Sequence, residues 1–173
     1  MNYVTPIDST QQLEVIERTL YYISCGERIL ERSFDQIPVV FDLKGRASGM
    51  YRVRGHQRVI RYNPWIFARY YDDCLAATVP HEVAHYLCDA VFGLANIRPH
   101  GREWKALMKA FGADASVTAN YSLQGIPLRR TARFRYLCAC DQHFLGTQRH
   151  RRISLGRASY RCRRCGEILR ADV

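Results

Sequence analysis

Val79-Pro80-His81-Glu82-Val83-Ala84-His85 reads as the opening turns of a helix, and the rest of the chain is organised around it. Pro80 is tolerated in a first helical turn, where its missing N–H would have no partner anyway, and Thr78 ahead of it is a candidate N-cap. Val83, Tyr86, Leu87 and Ala90 then recur at i, i+3, i+4 and i+7, the apolar stripe that anchors a helix to a core. His81 and His85 lie one turn apart on one face, so both imidazoles can reach a single Zn²⁺. Glu82 points toward the same space without needing to ligate. From there it can take a proton from a water activated by the metal and pass it to a leaving amine.

A catalytic zinc takes a third protein ligand and keeps an open position. His100, with fourteen residues between it and His85, is the candidate, and Gly101 lets the backbone pass close; Glu103 is the alternative. Trp104, Leu107, Met108 and Phe111 repeat the helical spacing up to Gly112.

Toward the N-terminus, Gln11–Ser33 carries Leu13, Ile16 and Leu20 at helical spacing, with Gly26 as an expected interruption. Three β-prone runs follow, Pro38–Leu43, Met50–Arg54 and Arg58–Tyr62, separated by Gly45, Gly49 and Gly55 and read as a small antiparallel sheet. Asn63-Pro64 stops the third run. A helical stretch from Trp65 to Ala77 leads into the histidine helix, and a polar connection spans Ala113–Pro127.

With 173 residues and 47% apolar content, the chain has room for one domain of ordinary size, 1–127, and a small appendage, 128–173. No apolar run is long enough to span a bilayer, and no export signal is evident, so a cytoplasmic location and no membrane partner are expected. Seven cysteines, an odd number, then point to reduced thiols and metal sites. Cys25, Cys74 and Cys88 read as small buried apolar residues, and His56 and His150 as solvated ones.

Cys138-Ala139-Cys140 and Cys162-Arg163-Arg164-Cys165-Gly166 form two metal hooks, the pattern of a zinc ribbon. The first hook is C-x-C, and His143 follows Cys140 by three residues. The ligands are therefore either four cysteines or a set in which His143 substitutes. A second, structural Zn²⁺ is expected, because so small a module could hardly fold without it.

The net charge of +10 is concentrated here: from Arg129 onward, twelve arginines face Asp141, Glu167 and Asp172. Arg149, Arg151, Arg152, Arg161, Arg163 and Arg164 are candidates to grip phosphates, with Tyr136, Phe144 and Tyr160 to stack on bases. DNA is the expected partner. Nothing reads base sequence, so binding should be largely non-specific and salt-dependent.

Taken together, 79–85, Pro99-His100-Gly101-Arg102-Glu103-Trp104 and the cysteine ribbon resemble the SprT-like family, which includes the metazoan protease Spartan. The resemblance implies an α+β, zincin-like metallopeptidase core: an N-terminal helix, a small sheet, the HExxH helix and a following helix, then a C-terminal zinc ribbon. It implies His81, His85 and His100 on zinc and Glu82 as acid/base. It also implies DNA-dependent cleavage of proteins bound or crosslinked to DNA, in a cytoplasmic, nucleoid-associated setting. Two other readings stay open: a non-proteolytic zinc-dependent DNA-binding regulator, and a peptidase of free peptides whose ribbon is only a cap.

Overall fold

The computed structural model describes residues 4–116, 121–128 and 132–172. The chain divides into two compact units, Met1–Leu128 and Arg129–Val173, and is a mixture of helices and two small sheets.

The first unit opens with α1, Ser9–Leu30. Asp8 caps it, its carboxylate accepting from Gln11 N while the Gln11 side chain accepts from Asp8 N, so two otherwise orphaned donors are satisfied reciprocally. Gly26 does not interrupt this helix. A Cβ there would lie 2.2 Å from Leu87 Cδ1, so the glycine is where α1 presses against the histidine helix.

β1 (Val39–Val40), β2 (Gly49–Arg54) and β3 (Gln57–Tyr62) form a sheet of order β1-β3-β2. β2 and β3 are an antiparallel hairpin, but β1 runs parallel to β3, which corrects the all-antiparallel expectation. The physical reason is the segment after β1. Asn63, fully buried, donates from Nδ2 to the carbonyls of Gly45 and Ala47, and its N–H bonds Ser48 O. That tether draws the chain across the end of β3, so β2 is laid down on β3's far side instead of folding back on β1.

Asn63 also caps α2 (Pro64–Arg69), accepting from Trp65 N and Ile66 N. A short α3 (Tyr71–Asp73) and a π-helical turn, Cys74–Thr78, run straight into α4, Val79–Phe92. No capped break falls at Thr78. Its side chain makes no cap bond, and its hydroxyl donates to Ser48 Oγ. The wider turn accommodates Pro80, whose ring and missing N–H would disrupt a regular α-helical turn. α5, Arg102–Ala110, completes the unit. Val15, Ile23, Ile60, Tyr62, Phe67, Val83, Leu87, Trp104 and Met108 are among its buried core residues, which leaves α4 enclosed along most of its surface.

In the second unit, β4 (Arg133–Leu137) pairs with β5 (Gln142–Gly146) and β6 (Arg170–Ala171), all antiparallel. α6, Thr147–Ser154, is an element the sequence pattern did not announce. The buried core is small: Tyr136, Leu145, Cys162 and Leu169. Among the described residues, no helix is long and apolar enough to cross a membrane.

Candidate functional site

α4 presents His81 and His85 one turn apart, and the loop before α5 brings in His100. The three Nε2 atoms form a near-equilateral triangle: 3.2 Å between His81 and His85, and 3.0 Å from His100 to each. His100 reaches this position with a left-handed backbone, φ +55, one of two non-glycine residues with positive φ among those described. Trp104, 1% exposed, backs all three rings with centroid separations of 4.7–5.7 Å, and its Nε1 donates to His81 O. Glu103, the alternative third ligand, is turned into an ion pair with Arg102 and stands outside the three-histidine cluster.

Three imidazole nitrogens at such separations cannot all be satisfied by bonds to one another, since a nitrogen that donates its one proton has no lone pair left to accept. At least one pair must therefore be alike, two lone pairs or two N–H groups facing each other. A cation between them removes the conflict. Nitrogens tetrahedrally disposed at about 2.0–2.1 Å from one ion lie roughly 3.3 Å apart, close to what is observed. Burial, and then the neighbouring rings, push His85 down to about 3 and His81 down to about 4, so both are neutral at physiological pH, the form that ligates a metal. The cluster therefore fits Zn²⁺.

Glu82 is 6% exposed, and its Oε2 accepts the Tyr51 N–H at 2.6 Å. Burial pushes the carboxyl up to about 7 against the pull of that N–H. Gly49 makes the approach of β2 feasible, because a Cβ there would stand 2.7 Å from Glu82 Cγ, Glu82 Oε1 and Thr78 Cγ2. A cleft of about 230 Å³, lined by Arg46, Ser48, Gly49, Thr78, His81 and Glu82 among others, opens at this point. A larger cleft, about 870 Å³, lies between residues 32–38 and β3 and touches none of the three histidines. Of the two, only the smaller cleft adjoins the histidine cluster and Glu82.

Further along α4, Asp89 Oδ2 accepts from both Tyr51 OH and Arg58 Nε at 2.7 Å, and its Oδ1 accepts from Leu94 N. Tyr51 thus touches α4 twice, through its main chain at Glu82 and its side chain at Asp89. The sequence reading missed Gly49, Tyr51, Arg58 and Asp89. The alternation in β2 hints that Tyr51 faces inward, but which element it meets depends on a helix 31 residues away in sequence.

In the second unit the sulfurs of Cys138, Cys140, Cys162 and Cys165 all lie within 4.8 Å of one another. Cys138–Cys140 and Cys140–Cys162 are 3.6 Å apart, far beyond a disulfide bond and close to the roughly 3.8 Å expected of thiolates sharing one zinc. Hydrogen bonds with Cys165 and Cys138 push the Cys140 thiol up to about 12. Backbone N–H groups of Cys165 and Arg164 hold Cys162 down to about 6. His143 Nε2 sits 3.2 Å from Cys138 Sγ, outside the four-sulfur group.

Arg149, Arg151, Arg152, Arg161, Arg163 and Arg164 are all exposed. Arg149 lies over the Tyr160 ring, and Arg161 donates to Gly166 O. Two expectations are corrected. Tyr136 is 1% exposed, held by His150, and so is core instead of a stacking platform; Phe144, 55% exposed, remains available. His150 is not a solvated side chain: its ring stacks on Phe134 at 3.6 Å.

Comparison with known proteins gives the chain its relatives. It is 33% identical to Protein SprT of Shewanella oneidensis over 89% of this chain and 95% of that protein. It is 33% identical to Protein SprT of Klebsiella pneumoniae over 93% of each, and 37% identical to that of Salmonella newport over 91% and 92%. No solved structure matches it. The model of the SprT-like family matches residues 24–131, a span that includes the three histidines, Glu82 and Tyr51. The chain belongs to the SprT-like family.

Proposed function

We propose that this protein is a zinc metalloendopeptidase acting on proteins bound or crosslinked to DNA. The observation that carries the reading is the convergence of three imidazoles beside a buried Glu82 side chain that is not part of their cluster. His81, His85 and His100 would hold the catalytic zinc. When bound, the ion supplies Lewis acidity and lowers the pKa of water toward neutrality.

The chain's own residues do the rest. Glu82, with Oε2 anchored by Tyr51 N–H, keeps Oε1 to take a proton from water and return it to the leaving amine. Tyr51 spends its N–H on Glu82, so the outer edge of β2 faces the site. Backbone groups two residues away on that edge, at Gly49 and Val53, would pair with an extended substrate. Trp104 and the loop at His100 fix the rings and limit water on their far side.

The four cysteines would hold a second, structural zinc, and the exposed arginines around them would bind DNA without base specificity, placing the enzyme at the nucleoid. Selectivity then comes from location. In the test, zinc-loaded parent and Glu82→Gln are compared for cleavage of a DNA-bound protein, with and without DNA. Loss of DNA-stimulated cleavage with zinc retained is expected. Unchanged cleavage would overturn the assignment, and no cleavage by the parent would favour a DNA-binding regulator whose metals are structural.

A further inference from the structure

The first unit as a whole is close to neutral, yet its positive charge is not dispersed. Between Asp42 and Asp72 there is no acidic residue, and Lys44, Arg46, Arg52, Arg54, Arg58 and Arg61 fall on or beside the β2–β3 hairpin. Arg58 and Arg61 are paired with Asp89 and Asp42. Lys44, Arg46, Arg52 and Arg54 are exposed and make no ion pair within 4 Å among the described residues.

Strand alternation sorts this charge by face. Gly49, Tyr51 and Val53 are half-buried, whereas Met50, Arg52 and Arg54 are exposed on the other side of β2. Across the hairpin, Arg52 stands opposite Val59 and Arg54 opposite Gln57, neither of them acidic, and Asp42, the carboxylate that feels Arg52, is already paired with Arg61. Two guanidinium groups based about 6.8 Å apart on one face repel each other and cost stability. They match successive phosphates of one nucleic-acid strand, and each planar fork suits a phosphate.

We infer that the outer face of the β2–β3 hairpin, through Arg52 and Arg54, is a nucleic-acid-binding surface of the first unit, in addition to the arginines of the cysteine unit. The inference rests on nucleic acid being the partner. Its consequence is positional. Arg52 adjoins Tyr51, whose N–H holds Glu82, so nucleic acid on this face lies one strand's breadth from the catalytic carboxylate. A protein fixed to that nucleic acid is brought to the edge of β2.

The test uses the full chain and a fluorescent oligothymidine, titrated at several salt concentrations. The variants are Arg52→Gln/Arg54→Gln, Arg52→Lys/Arg54→Lys and, for the cysteine unit, Arg151→Gln/Arg152→Gln. The hairpin glutamine variant should bind with a slope of log K against log salt shallower by about 1.4, and roughly tenfold more weakly near 0.1 M salt. The lysine variant should regain the slope, and equal thermal unfolding would exclude misfolding. If the parent and the hairpin glutamine variant share one slope, the hairpin inference fails while DNA binding by the chain stands. No binding by the parent overturns both. Loss of binding to an acidic polypeptide, with oligonucleotide binding intact, assigns the face to acidic proteins and also overturns the inference.

Discussion

The backbone N–H of Tyr51 donates to Glu82 Oε2 across 2.6 Å, so the edge of the sheet and the carboxylate on α4 are positioned by each other. One oxygen of Glu82 is thereby committed, and the other is the one that the proposed function uses for proton transfer. The arrangement requires β2 to pass close to α4, and Gly49 is what makes room.

Gly49→Ala should therefore damage the site from outside it. The new methyl group would meet Glu82 and Thr78 at 2.7 Å, forcing a shift of strand or carboxylate. A cost of about 1–3 kcal/mol in stability is expected from overpacking. Under the proposed function, misplacing Glu82 should slow cleavage on the order of 100-fold. Zinc content should be unchanged, and metal analysis beside cleavage rates separates the two effects.

Asp89 ties the same strand to the far end of α4. Burial opposes its ionisation, but Tyr51 OH, the Arg58 guanidinium and Leu94 N–H together outweigh it and hold the carboxyl below its ordinary value. Because the folded group titrates below an unfolded value of about 3.9, its contribution is complete at neutral pH and is lost as pH falls through the folded value. Asp89→Asn should cost about 1–2 kcal/mol at pH 7. Denaturant unfolding at a series of pH values should show the gap between parent and variant closing below about pH 4.

Gly26 and Leu87 test how α1 is seated. Gly26→Ala places a methyl group 2.2 Å from Leu87 Cδ1 and should destabilise by about 1–3 kcal/mol. Combined with Leu87→Ala it should cost less than the sum of the two single changes, because the truncated side chain makes space. Additive costs in a double-mutant cycle would mean the helices do not meet there.

How much of this could be read in advance depended on sequence distance. α4 and α5 were legible because their apolar residues repeat at helical spacing, and His81, Glu82 and His85 because their geometry is fixed within one turn. The parallel β1, the uninterrupted α1 and the π-helical turn were not, since each depends on a distant partner: Asn63 for the segment after β1, Leu87 for Gly26, Ser48 for Thr78. Tyr51 and Asp89 are 38 residues apart and join only once β2 lies across α4. α6 escaped notice because Thr147–Ser154 offers Ile153 alone as an aliphatic residue. His150, read as solvated, is instead placed by stacking on Phe134.

The second unit, with four buried core residues among those described, should depend for folding on the metal proposed for its cysteines. A strong chelator should abolish amide protection across 132–172 in hydrogen exchange while the amides of α1 stay protected. Persistent protection in both units would show that the cysteine cluster is dispensable for the fold.

Zinc per chain, measured in the parent, His100→Ala and Cys162→Ser, tests the central claim most directly. Near two equivalents in the parent and near one in each variant is the predicted result. A parent whose zinc content is unaffected by His100→Ala would contradict it, because the third imidazole would then have no part in holding the ion.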